Sequence, residues 1–199
     1  MKKLYKFGFW ILLLVIASLF NLWRISITSC ENRQRNLEEL NNKRILSILN
    51  TNTILDRRLD PIRGKNIVTD EISEIQFRDK TIAILLSDFE CNLCQEKELK
   101  RLYKLKENIK RRGIKIIGIT TRDKKNITAR QIKITKIEFP IYWVDDNYFF
   151  EQLSSSSSYP QVIYIVNSIV VSAFIPIPKD DRFSEMFYSD LLKKLEYIN

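Results

Sequence analysis

Two uninterrupted apolar runs of strand length, Thr81 to Ser87 (TIAILLS) and Ile114 to Thr120 (IKIIGIT), constrain this chain more than any other feature. A strand with almost no polar position has no solvent face, so each must be covered on both sides. Between them, Asn92 to Arg112 carries Leu93, Leu99, Leu102, Leu105 and Ile109 at helical spacing, and Gly113 follows as a C-cap candidate. Strand, helix, strand in that order is a crossover unit, which makes the two strands parallel. Ile141 to Val144 reads as a third strand and Asn147 to Leu153 as a short helix. The segment holding Ile127, Ile132 and Ile134 is a weak helix candidate, because its β-branched content disfavours one. Ser154 to Ser158 reads as a flexible loop before Tyr159-Pro160. Gln161 to Val166 and Ile169 to Phe174 flank Asn167-Ser168, a two-residue hairpin turn, and Asp181 to Ile198 closes the chain as an amphipathic helix. The fold class is therefore α/β: a sheet containing parallel strands, helices on its faces and a terminal antiparallel hairpin.

Composition narrows the chemistry. The 199 residues include no His, which removes His-based acid–base catalysis, His-ligated metals and Cys–His nucleophile pairs. Only four Gly are present, too few and too scattered for a P-loop or a GxGxxG turn. Three cysteines remain for covalent chemistry: Cys30, Cys91 and Cys94. The net charge of +9 is concentrated in residues 97–136, where fifteen Lys and Arg stand against three acids, a local +12. Such a segment suits an acidic protein or anionic lipid headgroups, with nucleic acid a poor third, or is simply a solvated surface.

The N-terminus predicts export. Phe7 to Trp23 is a run of 17 uncharged, mostly apolar residues between Lys6 and Arg24. A helix of that length reaches about 25 Å, near the lower limit for a membrane span. Lys2, Lys3 and Lys6 place the short N-terminus in the cytoplasm, so all that follows Arg24 lies outside. The expected organisation is a cytoplasmic end at 1–6, a single-pass anchor in the cytoplasmic membrane at 7–23, a helical stalk at 24–66 and a folded extracytoplasmic (periplasmic) domain at 67–199. Cleavage as a signal peptide lacks an A-x-A-like site, and lipid attachment at Cys30 in Ile27-Thr28-Ser29-Cys30 is the alternative anchor.

The chemistry is expected at Cys91-Asn92-Leu93-Cys94, where a buried strand hands over to a helix. The spacing across one helical turn brings two cysteines within disulfide reach, about 5–6 Å between Cα atoms. A cysteine at the helix N-terminus has its thiolate stabilised by unpaired N–H groups and the helix dipole. Cys91 is thereby the expected nucleophile and Cys94 the resolving thiol. Glu90 opposes that stabilisation and Lys97 favours it. A structural disulfide, inert buried thiols and a zinc site are the competing readings. Zinc needs more ligands than two thiols without His supply.

The stretches TIAILLSDFECNLCQEKEL, GIKIIGITTRD, FPIYWVDD and YPQVIYIVNSIVVSAF resemble the thioredoxin fold. Within it they are most similar to membrane-anchored extracytoplasmic thioredoxin-like oxidoreductases (TlpA-like, of the AhpC/TSA superfamily). The resemblance implies a redox-active disulfide between attacking Cys91 and resolving Cys94. It also implies a cis Tyr159-Pro160 peptide beside them, with Pro160 facing the disulfide and Tyr159 pairing with a bound substrate strand. The implied activity is reduction or exchange of disulfides in exported proteins, with a membrane electron-transfer partner and no cofactor or metal. Glu90 stands where an aromatic is usual, and Asn92-Leu93 replaces the usual Pro-containing pair. A redox-inactive binding module with a structural disulfide is the alternative. A peroxiredoxin-like peroxidase is a lesser one, since Ser87 to Cys91 lacks the Thr-x-x-Cys and preceding Pro it requires.

Overall fold

The computed structural model describes residues 2–87 and 92–197, with side chains described for 15–87 and 93–194. The chain divides into two units, 1–43 and 44–199.

The first unit is one helix, most of α1 (Lys2–Asn52). Along it Gln34 donates to Glu38 and Lys43 pairs with Glu39, both one turn apart. Among the described residues no helix is long and apolar enough to cross a membrane. Half of the expected anchor, residues 7–14, has side chains outside the described set.

The second unit is built on a seven-stranded sheet in the order β2-β1-β5-β4-β3-β6-β7. Its strands are β1 (Ile62–Asn66), β2 (Ile72–Ile75), β3 (Thr81–Leu86), β4 (Lys115–Thr121), β5 (Ile141–Val144), β6 (Gln161–Val166) and β7 (Ile169–Phe174). β3, β4 and β5 are mutually parallel, as the crossover logic requires, and the other pairings are antiparallel. Crossover helices α2 (Asn92–Arg111) and α3 (Lys125–Thr135) join them. α4 (Asp146–Tyr148) runs into a π-helical turn at Phe149–Leu153, and α5 (Asp181–Tyr197) closes the chain.

The alternation of β3 explains the two cores. Ile82, Ile84 and Leu86 point to one face and pack with Leu99, Leu102 and Ile109 of α2, Ile132 of α3 and Tyr188 and Leu191 of α5. Ala83 and Leu85 point to the other face, where Ile54, Leu59, Phe77, Phe149 and Leu153 cover them. Both faces of the strand are buried, as its unbroken apolar run demands.

Three sequence expectations need correction. The folded unit begins at Arg44, well before the expected boundary at residue 67. β1, taken as stalk, is an interior strand between β2 and β5. Its burial pattern is broken by Arg63 and Lys65, and β2 is an exposed edge, so neither has the apolar signature of a core strand. The sheet leaves no room for a side chain at residue 64: a Cβ on Gly64 would stand 2.7 Å from Ile75 Cδ1 and 3.0 Å from Tyr142 Cβ. The weak segment is a helix after all, because Thr128, Ile132 and Thr135 form one buried stripe, and Thr120 and Thr128 hydroxyls bond at 3.2 Å. Tertiary packing overrides β-branched propensity there. The hairpin turn falls where expected, with Asn167 and Ser168 at φ 50° and 68°.

Residues 44–59 close one flank of the sheet. Asp56 N donates to Val170 O at 2.9 Å and Val170 N to Arg57 O at 3.0 Å, so this stretch satisfies part of the β7 edge. Ser47 Oγ donates to Ile175 O at 2.7 Å, and Arg44 grips Asp180 with two bonds of 2.7 and 3.0 Å. The Arg44 guanidinium holds the Asp180 carboxyl below its ordinary range, against the opposing effect of burial. A depressed folded pKa stabilises above the unfolded value of about 3.9 and is lost as pH falls through the folded one. Asp180→Asn is thus expected to cost about 2 kcal/mol at pH 7 and clearly less at pH ~2, well below the unfolded value. Urea denaturation at both pH values checks this; an equal gap at the two would overturn it.

Candidate functional site

Helix α2 starts where buried β3 ends, at the edge of the sheet on which all three parallel strands terminate. Open α/β sheets bind ligands at that edge. Cys94 lies in the first turn of α2, is half-buried and is held in a disulfide. Cys30 is a free, exposed thiol on α1. Cys91, with Asp88, Phe89 and Glu90, lies outside the described residues. Leu93 beside Cys94 is 62% exposed, an apolar side chain presented to solvent at the mouth of the site. A cavity of 140 Å³ opens there, lined by Leu93, Cys94, Lys97, Arg101, Pro176 and Pro178 among others. Its lining mixes apolar Leu93, Pro176, Ile177 and Pro178 with charged Lys97, Arg101 and Asp181.

The rim is a charge network that the sequence did not disclose. Glu98, one turn after Cys94, is buried and accepts from Ser184 Oγ of α5 at 2.9 Å and from Arg101. Arg101 also reaches Asp181 at 2.6 Å, and Lys97 reaches the same carboxylate at 3.0 Å. The two cations and two anions staple the start of α2 to the start of α5. Beneath Cys94, Gln95 is fully buried and donates to Ser87 O at 3.2 Å, tying the first turn of α2 to the last residue of the β3 run.

The Tyr159-Pro160 peptide is cis, as the resemblance implies. β6 pairs antiparallel with β3, with Gln161 opposite Leu85. The cis peptide thus immediately precedes β6 at the sheet end where β3 gives way to α2. Both of its residues are buried. The Tyr159 ring stacks obliquely on Phe149 at 5.7 Å, and its hydroxyl bonds Ser154 Oγ at 2.7 Å.

The serine run is not the flexible loop expected from its composition. Gln161, 1% exposed, organises it from within. Its Oε1 accepts from Ser155 N and Oγ at 2.9 and 3.0 Å. Its Nε2 donates to Ser154 Oγ, Ser156 O and Ser158 O at 3.1, 2.8 and 3.0 Å. The one local signal was a glutamine opening an otherwise apolar strand directly after a polar run. Gln161→Ala leaves those groups without partners and is expected to cost about 3 kcal/mol. Amide exchange at Ser155 should quicken with it, and unchanged exchange would show that the loop holds itself.

The basic segment proves to be divided among α2, β4 and α3. Lys100 pairs with Glu96, Lys106 with Glu138, Lys115 with Asp79 and Lys124 with Asp123. Arg122 and Lys125 lie over the Trp143 ring at 5.8 and 5.6 Å. Much of the excess is therefore engaged locally.

No family model and no curated protein matches the sequence. Solved structures do match its fold. The thioredoxin domain of a thiol-disulfide oxidoreductase from Bacteroides vulgatus is similar with a TM-score of 0.52 at 17% identity, covering 67% of this chain and 96% of that one. A chain assigned as thiol:disulfide interchange protein DsbE from Chlorobium tepidum gives 0.57 at 12%, covering 71% and 97%. A thiol:disulfide interchange protein from a Bacteroides species gives 0.51 at 17%, covering 66% and 87%. At these identities the likeness speaks to architecture: the chain has a thioredoxin-like α/β fold.

Proposed function

We propose that this chain is a thiol–disulfide oxidoreductase acting on exported proteins, with Cys91 as attacking thiol and Cys94 as resolving thiol. One observation carries the reading: Cys94 is in a disulfide at the first turn of the helix that follows the buried central strand, while Cys30 is free. Its proposed partner is Cys91, three residues before it in the sequence. The fold and the thiol–disulfide activities named for its structural neighbours support the same reading. Tyr159 and Pro160 are proposed to flank the bound substrate, from their place immediately before β6 at the sheet end where β3 gives way to α2. The chain is proposed to be tethered to the cytoplasmic membrane through residues 7–23, with its folded unit outside, reduced by a membrane electron-transfer partner.

In the exchange, the Cys91 thiolate attacks one sulfur of a substrate disulfide and expels the other as a thiolate. Cys94, deprotonated, then attacks Cys91 Sγ and releases the second substrate sulfur, leaving Cys91–Cys94 oxidised and the substrate disulfide reduced. Apolar Leu93 and the adjoining cavity offer a surface for the substrate segment around its cysteine. Titration against dithiol buffers tests the proposal. A potential between about −270 and −120 mV is expected for a catalytic couple, and one well below about −300 mV would identify a structural staple instead.

A further inference from the structure

Along the described part of α1 the side chains repeat with a heptad period. Phe20, Ile27, Gln34 and Asn41 recur every seventh residue, and Trp23, Cys30 and Leu37 recur three residues after the first three of them. These are the a and d positions of a two-stranded coil. Phe20, Trp23 and Leu37 are each more than half exposed, Cys30 is exposed and Ile27 is 39% exposed. The pattern persists for three heptads, about 33 Å of helix. In the second unit, Arg44, Ser47 and Thr51 turn inward, while Ile45 and Ile48, the next e and a positions in sequence, face solvent.

We propose that α1 pairs with α1 of a second copy of this chain as a parallel, in-register coiled coil over residues 20–41, entered from the last turn of the proposed anchor. The charge pattern chooses that occupant. Arg33 is a g position and Glu38 is the e position five residues on, the two sites that face each other across a parallel dimer. Two-fold symmetry makes the pair twice, Arg33 of each copy against Glu38 of the other. Arg33 has no ion-pair partner among the described residues, and Glu38 is accepting only from Gln34 at 3.0 Å. A bilayer would not accommodate Arg33, Gln34 and Glu38 along the seam, whereas an identical helix matches each of them. Polar side chains at the a positions Gln34 and Asn41 lower stability but fix register, a recognised use of such residues in two-stranded coils.

The register makes a geometric claim: the two Cys30 thiols face each other in one d layer. The test uses the full-length chain in detergent micelles with Cys91→Ser and Cys94→Ser, so that Cys30 is the one thiol present. Copper–phenanthroline supplies the oxidant, taking two electrons as two thiols lose their protons and form one disulfide. Covalent dimer is expected within the first minutes. Cys30→Ser with Asn32→Cys, which moves the thiol to the outer face, is expected to lose most of that yield. Arg33→Glu should weaken dimerisation about fivefold or more, and adding Glu38→Arg should restore it. Equal crosslinking at positions 30 and 32, or a single-chain mass by light scattering across the concentration range, would overturn the proposal. So would crosslinking unaffected by both charge variants, which would point to casual collision of exposed thiols.

Discussion

Serine at Cys91 or at Cys94 is expected to bring catalysed reduction of insulin disulfides down to the uncatalysed background. Thiolate is the attacking species in disulfide exchange, and a serine hydroxyl neither ionises at neutral pH nor forms the mixed disulfide. The two variants should nevertheless fail differently. Cys91→Ser cannot begin the reaction, so it accumulates nothing. Cys94→Ser can attack but cannot resolve, so it accumulates covalent adducts with its substrates, which mass spectrometry would identify. The half-buried position of Cys94 inside the first turn of α2 fits the second role. In the reduced protein at neutral pH, Cys91 is accordingly expected to be alkylated before Cys94. Insulin reduction surviving in Cys91→Ser would discard the dithiol mechanism, and earlier alkylation of Cys94 would exchange the two roles.

The central half of this architecture was legible because burial leaves a mark on sequence. β3 and β4 are covered on both faces, so they appear as unbroken apolar runs, and the hairpin shows its turn at Asn167-Ser168. β1 and β2 left no such mark. Ile62, Gly64 and Ile75 are the residues that engage the sheet there, and Arg63 and Lys65 between them read as stalk. The same blindness hid the start of the folded unit. Arg44 and Ser47 anchor it through polar contacts with Asp180 and Ile175, partners more than a hundred residues away that no local pattern can announce. At the site, the cysteine pair and Tyr159-Pro160 stood out because their chemistry is local. Glu98 and Gln161 did not, since a buried polar residue is recognised by its partners. Ser184 reaches Glu98 only once α2 and α5 are packed.

Glu98→Ala is expected to be the most destabilising single change at the rim of the site. The Glu98 side chain is 2% exposed, Arg101 beside it 21%, and Ser184 is buried. Removing Glu98 leaves Arg101 to Asp181 alone and strips buried Ser184 Oγ of its acceptor, at a cost of about 3 kcal/mol. Glu98→Gln keeps an acceptor for Ser184 Oγ and leaves Arg101 its bond to Asp181, so about half that loss is expected. The buried Tyr188 hydroxyl reports on the same pocket. Burial foremost, then the neighbouring Glu98 charge, pushes its pKa well above the ordinary value for tyrosine. Folding therefore favours the protonated phenol, a contribution intact below pH ~10 and lost as the unfolded phenol ionises above it. In Glu98→Ala the hydroxyl should titrate at lower pH than in the parent, visible as phenolate absorbance before the unfolding transition. A urea midpoint for Glu98→Ala within the error of the parent's would mean that Arg101 and Ser184 find other partners. The network would then position α2 and α5 without stabilising them.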